Sequence, residues 1–295
     1  MQTKDLGEIR NKMLPLACLV FKPHAPSNKI RFLLMMNHQR KYKKNFFKQK
    51  QTIGIWATLG SPCLAEIIAN VGFDWILFDC EHGTNGPLNL IDQLNAVKSR
   101  NQEIACLVRV GSNDIVEIKR VLDIGVDGIM IPMTSNRADA EAAVKYCSYP
   151  PNGMRGVSGI CRASNYGLRE EYLKQASNEM SILVQVENLD GLKNLEEIVN
   201  TKGIDGVFIG PSDLAASMGK LGSYSDKTVE DEIRKALQLI IRKNKPAGII
   251  ALSNEGGKQR FSQGFDFVAV AHDAHFITKE LHSLKSKFSN YLQQI

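Results

Sequence analysis

From residue 53 onward the chain alternates between two kinds of segment. Short runs of strand length are apolar almost throughout: Ile53–Thr58, Trp75–Asp79, Ala105–Val110, Gly128–Met133, Ile182–Glu187, Gly206–Gly210, Ala247–Leu252 and Phe267–Ala271. A strand reads this way when it belongs to a parallel sheet whose faces are both covered. Between the runs lie stretches with helical spacing of apolar positions: Pro62–Val71, Leu88–Ser99, Asn113–Ile124, Arg137–Cys147, Leu189–Asn200, Val229–Lys243 and Gly256–Gln263. Pro62 and Pro87 suit first helical turns, and Gly72, Gly125 and Gly264 follow helix ends. Eight strands alternating with helices over about 240 residues predict an α/β protein, a (β/α)8 TIM barrel rather than an open doubly wound sheet. No G-x-G-x-x-G follows the first strand, which argues further against a dinucleotide fold.

Two segments break the beat. Ser148–Asn178 is a long connection containing Tyr-Pro-Pro-Asn-Gly-Met-Arg-Gly, and connections of that length in compact domains are usually functional. Phe276–Ile295 carries an apolar stripe of Ile277, Leu281, Leu284, Phe288 and Tyr291/Leu292, suited to closing its own barrel or docking on a neighbour.

Charge divides the chain. Residues 1–50 hold 12 Lys/Arg against 2 Asp/Glu, whereas the rest holds 25 against 29. The net charge of +6 therefore belongs to the N-terminal stretch, and the mildly acidic remainder gives no reason to expect a nucleic-acid partner. Residues 1–50 are expected to form a basic extension outside the fold, with Met35 and Met36 as natural alternative starts, and residues 51–295 to form the barrel. No apolar run reaches the roughly 18 residues of a membrane span, so no membrane partner is expected. The six cysteines show no C-x-x-C spacing. They suggest a reducing compartment, hence a cytoplasmic protein without structural disulfides.

Chemistry gathers where strands end. The second run passes from Trp-Ile-Leu-Phe into Asp79, Glu81 and His82; the third ends in Arg109, the fifth in Glu187, and the sixth runs into Gly-Pro-Ser-Asp213. The carboxyl ends of barrel strands are where active sites are assembled. Glu187 closes an apolar strand, so a cation or strong hydrogen bonds must compensate its burial. Two carboxylates without Cys or a spaced His pair suit a hard cation such as Mg²⁺ or Mn²⁺. A salt bridge from each acid to a nearby base is the plainer alternative. Arg109 suits either a carboxylate partner or an oxygen of a bound substrate. His82 is either a surface histidine or a base titrating near neutral pH, with Asp123 on an apolar helix end as its orienting group. His272 and Asp273, ending the eighth strand, have no assigned role.

The strings Phe-Asp-Cys-Glu-His (78–82), Val-Arg-Val (108–110), Val-Leu-Asp-Ile-Gly (121–125), Ile-Pro-Met (131–133), Tyr-Pro-Pro-Asn-Gly-Met-Arg-Gly (149–156), Val-Gln-Val-Glu (184–187) and Phe-Ile-Gly-Pro-Ser-Asp-Leu-Ala (208–215) together resemble the HpcH/HpaI family of metal-dependent pyruvate aldolases. The resemblance spans roughly residues 51–290. It implies a barrel of the phosphoenolpyruvate/pyruvate superfamily, forming a homohexamer (a trimer of dimers) with the last helix exchanged between subunits. It implies Glu187 and Asp213 as ligands of Mg²⁺, Mn²⁺ or Co²⁺, and Arg109 as the group at the keto oxygen. It further implies His82 with Asp123 as a catalytic dyad, Gln185, Ser212 and Asp213 against pyruvate, and Asp79 and Glu81 as support behind them. The implied reaction cleaves a 4-hydroxy-2-oxo acid to pyruvate and an aldehyde. A CoA-ester lyase of the citrate-lyase-like branch and a non-catalytic barrel scaffold are the alternatives. Cys80, where a small residue is expected, and the His272-Asp273 ending depart from the family pattern, the second leaving acceptor choice open.

Overall fold

The computed structural model describes residues 51–293; the basic stretch 1–50 lies outside the described residues, and so does its expected role. Eight parallel strands close into a barrel in chain order, with β1 (Thr52–Ala57) paired to both β2 (Trp75–Asp79) and β8 (Phe267–His272). The others are β3 (Ala105–Arg109), β4 (Gly128–Ile131), β5 (Ser181–Val186), β6 (Gly206–Ile209) and β7 (Ala247–Ile250). Every strand candidate is present, and the expected (β/α)8 architecture is the observed one.

Eleven α-helices accompany them among the described residues. In chain order α1 (Pro62–Val71), α2 (Pro87–Arg100), α3 (Ile115–Ile124) and α4 (Arg137–Cys147) follow the first four strands. The long connection is not bare loop: it holds a 3-10 turn (Arg162–Ser164) and α5 (Tyr172–Glu179). The stretch 189–200 is split at Asn194 into α6 (Leu189–Lys193) and α7 (Leu195–Asn200). A helix not foreseen, α8 (Pro211–Ser217), starts directly after β6 with its proline at N1, where a missing N–H is harmless. α9 (Lys227–Arg242), α10 (Asn254–Gln263) and α11 (Asp273–Leu292) complete the ring.

A device repeated four times sets the strand register at the barrel floor. Before β2, β4, β6 and β8 the chain reads Gly-Phe-Asp, Gly-Val-Asp, Gly-Ile-Asp and Gly-Phe-Asp, each glycine in the left-handed region (φ 91°, 89°, 103° and 107°). Each aspartate then grips one residue of the preceding strand from both sides. Asp74, Asp127, Asp205 and Asp266 donate their amides to the carbonyls of Ile53, Cys106, Ile182 and Ala247 at 2.8–3.0 Å. Their carboxylates accept the amides of those same four residues at 2.8–2.9 Å. Strand-end N–H groups that would otherwise be orphaned are thereby satisfied, and pairs β1–β2, β3–β4, β5–β6 and β7–β8 are locked alike.

The core has two layers. Inside the barrel, Trp56, Trp75, Leu77, Leu107, Met130, Leu183, Phe208 and Phe267 fill the lumen, with Trp56–Phe208 and Phe208–Phe267 centroids 5.3 and 6.0 Å apart. Gly54 makes room for this: a Cβ there would lie 2.0 Å from the Trp75 ring. The outer layer packs the strands' other faces against the helices. On α9, Val229, Ile233, Ala236, Leu237 and Ile240 are buried at helical spacing. The stripe of α11 is different. Leu281, Leu284, Phe288 and Tyr291 are each more than half exposed in the single chain.

Candidate active site

Strand register brings the first two site residues together. Asp79 and Arg109 are direct partners across β2 and β3, so their side chains share a face. Arg109 Nε and Nη2 donate to Asp79 Oδ1 and Oδ2 at 2.8 and 2.6 Å, a two-pronged fork between side chains only 1% and 7% exposed. The Trp56 indole N–H donates to Asp79 Oδ2 at 3.2 Å, while the Arg109 Cζ lies 4.9 Å from the Trp56 ring centroid. The Glu81 amide donates to Asp79 Oδ1 at 3.0 Å. Burial pushes the Asp79 carboxyl up, but the Arg109 guanidinium outweighs it with help from these donors, and the group is held below the ordinary carboxylate range. Trp56 was not among the sequence candidates. Its position at the end of β1, two residues after the inward Gly54, is the signal that marks it.

Arg109 also reaches Glu81, Nη1 to Oε2 at 2.8 Å, without hydrogen-bond alignment. Among the described residues Glu81 Oε2 is thus a buried acceptor with an ion-pair partner but no aligned hydrogen bond. Burial pushes the Glu81 carboxyl up, and Asp79 and Asp213 add to this against the pull of Arg109 and His82.

Opposite, β5 runs into Glu187, 2% exposed. Its Oε1 accepts the Met133 amide at 2.7 Å, presented by a left-handed turn (φ 51°), and its Oε2 accepts the Gln185 side-chain amide. These donors do not offset burial: with Asp213 and Glu81 adding repulsion, the Glu187 carboxyl is pushed up to about 7. The carbonyl Oε1 of Gln185 is a second buried acceptor that no donor among the described residues reaches. Close approach of β6 depends on Gly210, where a Cβ would stand 2.6 Å from Glu187 Oε2 and 3.0 Å from the Gln185 amide nitrogen. Asp213 follows on the first turn of α8, its carboxylate exposed toward the same space, with Ser212 beside it.

These residues fit a hard divalent cation. Asp213 and Glu81 both raise the proton affinity of Glu187, Asp213 raises that of Glu81, and among the described residues two buried oxygens accept no aligned hydrogen bond. Among the described residues no group of three or more His, Cys, Asp or Glu is arranged to hold a metal ion. Two protein carboxylates with the remaining positions left to water and substrate oxygens is the mode Mg²⁺ and Mn²⁺ favour.

His82 and Asp123 are not brought together within the chain. The His82 imidazole is exposed, its Nε2 3.7 Å from Glu81 Oε2. Asp123 instead accepts from Arg155 Nη2 at 2.6 Å. Arg155 is 1% exposed, stacks on Tyr149 with Cζ 4.5 Å from the ring centroid, and donates to the Tyr172 hydroxyl. Arg155 comes from the Tyr-Pro-Pro-Asn-Gly-Met-Arg-Gly stretch, so the long connection is anchored to α3 through Asp123. Asp273, left unassigned by the sequence, closes the barrel seam: its carboxylate accepts from Thr58 N, Thr58 Oγ1 and Leu59 N at 2.8–3.0 Å.

A parallel (β/α)8 barrel with an arginine fork and a carboxylate focus at its carboxyl rim defines an enzyme of the metal-assisted barrel class. The chain belongs to the HpcH/HpaI aldolase/citrate lyase family, whose model matches residues 52–279. It is 39% identical over 256 residues to the pyruvate aldolase of Rhizobium etli, covering 87% of this chain and 99% of the relative. It is 38% identical over 239 residues to the 4-hydroxy-2-oxo-heptane-1,7-dioate aldolase of Shigella flexneri, covering 81% and 89%. A crystal structure of a family member from Burkholderia cenocepacia superposes with a TM-score of 0.82 at 30% identity, covering 85% of this chain and 99% of that one.

Proposed function

We propose that the protein is a divalent-metal-dependent pyruvate aldolase, cleaving the C3–C4 bond of a 4-hydroxy-2-oxo acid to release pyruvate and an aldehyde. The observation that carries this reading is the juxtaposition of the Arg109 fork with Glu187 and Asp213. A divalent cation held by Glu187 and Asp213 would supply Lewis acidity toward the oxygens of the 2-oxo acid. Arg109, fixed by Asp79 and Trp56, presents positive charge where the C2 oxygen gains negative charge as the bond breaks. Gln185, buried beside Glu187 and Gly210, and the Ser212–Asp213 turn line the pyruvate half. His82, exposed at the rim beside Glu81, removes the C4 hydroxyl proton during cleavage. The C3–C4 electron pair moves to C3, which takes up a proton to become the methyl group of pyruvate, while C4 becomes the aldehyde carbon. Asp123, held by Arg155, has its orienting role on His82 only if a contact outside the single chain supplies it.

The exposed stripe of α11 supports self-association, and the family resemblance supports a hexamer with that helix exchanged. The family match beginning at residue 52 supports placing residues 1–50 outside the catalytic barrel. Among the described residues no helix is long and apolar enough to cross a membrane, in keeping with a cytoplasmic enzyme. The test is pyruvate release from a 4-hydroxy-2-oxo acid by purified protein with Mg²⁺, Mn²⁺ or Co²⁺. Loss in excess chelator and recovery with added metal are expected. Full activity in chelator, or turnover of an acyl-CoA ester alone, would contradict the reading.

A further inference from the structure

Between the end of β2 and the start of α2 the chain makes a short excursion, residues 80–86, that carries His82. Its outgoing limb is tied down. The Cys80 amide donates to the Arg109 carbonyl at 2.8 Å, and the Glu81 amide to Asp79 Oδ1 at 3.0 Å. The returning limb is tied to the end of β1: the Thr84 amide and hydroxyl both donate to the Thr58 carbonyl, at 2.9 and 3.2 Å. Thr58 is itself gripped by Asp273. Only His82 and Gly83 lie between the two sets of ties. Gly83 runs so close beneath that a Cβ there would lie 2.2 Å from the Asp79 carbonyl oxygen.

Asn85 joins the two strands under this apex. Ala57 with Phe78 is the last pair of the β1–β2 ladder. Asn85 continues the connection with a side chain: its Nδ2 donates to the Ala57 carbonyl at 3.0 Å and to the Asp79 carbonyl at 2.9 Å. Both partners are acceptors, so the amide must turn its nitrogen toward them and its Oδ1 away. Gln93 enforces that orientation, its Nε2 donating to Asn85 Oδ1 at 2.7 Å. Gln93 is 1% exposed, and the other buried residues of α2 are Leu90, Leu94 and Val97. Burying an amide in that company costs desolvation that a leucine would not. The hydrogen bond to Asn85 is what accounts for a glutamine there.

We infer that Asn85, keyed by Gln93, is a positioning residue that holds the His82 imidazole at the rim. There His82 Nε2 lies 3.7 Å from Glu81 Oε2, and Glu81 in turn meets Arg109. Asn85 acts through the loop rather than on the substrate. A displacement of about 1 Å suffices to cost a catalytic group much of its rate.

The assignment rests on the aldolase reading with His82 as the base. With full-length, Mn²⁺-loaded protein, kcat and KM are measured for cleavage of 4-hydroxy-2-oxopentanoate, and Mn²⁺ affinity is measured beside them. Asn85→Ala should lower kcat about tenfold or more, with KM and Mn²⁺ affinity unchanged. Gln93→Leu should lower kcat about threefold without lowering the thermal midpoint, since leucine suits its apolar neighbours. In a His82→Ala background neither substitution should lower the residual kcat further, because groups that act as one unit are not additive. The same proportional fall in both backgrounds would overturn the assignment and make Asn85 a general brace of the rim. So would an unchanged kcat, or a change of KM and Mn²⁺ affinity in step with kcat. Where His82→Ala leaves no measurable rate, that split between kcat, KM and metal affinity decides alone. Absence of pyruvate release by the unmodified, metal-loaded protein contradicts the aldolase reading itself, and this assignment with it.

Discussion

Asp79 and Arg109 stand in register on neighbouring strands and are joined by two parallel hydrogen bonds of 2.8 and 2.6 Å. The fork fixes both the position and the rotation of the guanidinium, which lysine, a point charge on a flexible stem, does not reproduce. Arg109→Lys should therefore lower kcat/KM for aldol cleavage by about a hundredfold despite keeping the charge. Asp79→Ala should destabilise the fold by roughly 3 kcal/mol in urea unfolding, because it leaves a buried guanidinium with only Glu81. A lysine variant within threefold of the original enzyme would show that charge alone suffices.

Glu187 makes stability depend on pH in an unusual direction. Its carboxyl is pushed up to about 7 from an ordinary 4.5, so the metal-free folded state holds a proton that the unfolded chain has released. The stability linked to that proton is complete below about pH 4.5 and lost as pH rises toward 7. In chelator, the thermal midpoint of Glu187→Gln relative to the original protein should rise between about pH 5 and pH 8. Divalent metal should reverse the order by stabilising only the carboxylate form. A midpoint difference that does not change with pH would contradict this.

Gly210 is required by proximity, since its missing Cβ is what lets Glu187 sit 2.6 Å from that position. Gly210→Ala should displace the Glu187 carboxylate and weaken metal binding at least about tenfold, while circular dichroism remains that of a folded barrel. Isothermal titration with Mn²⁺ reads the effect directly; unchanged affinity would mean that Glu187 is not a ligand.

The four floor aspartates divide stability from chemistry. Asp127→Ala orphans the Cys106 amide at a buried position and should cost about 1–3 kcal/mol, with kcat unchanged. Chemical denaturation beside steady-state kinetics checks both halves.

Sequence pattern carried the barrel because strand and helix periods are local properties. Each of the eight apolar runs is a strand of the structure, and Glu187, Asp213, Arg109 and Asp79 meet because strand ends of one barrel must converge. What was missed depends on contacts between distant residues. Arg155, which holds Asp123, was not singled out because it lies 32 residues away in a segment read as loop. The Gly-Pro-Ser-Asp213 stretch after β6 is the start of α8, a helix missed because proline at N1 suits a turn and a helix equally. The pairing of His272 with Trp56 follows a register shift between Gly54 and Ile55 that no periodicity in the chain announces.

The most direct test of the central claim needs no aldehyde. If Arg109 and the Glu187–Asp213 pair stabilise negative charge on the C2 oxygen of pyruvate, the protein must labilise the methyl protons of pyruvate alone. In deuterium oxide with Mg²⁺, the methyl proton NMR signal should decay far faster than in enzyme-free controls. Chelator should abolish the difference, and Arg109→Ala should reduce the rate about a hundredfold. A folded, metal-loaded protein under which the methyl signal persists at the control rate would contradict the account.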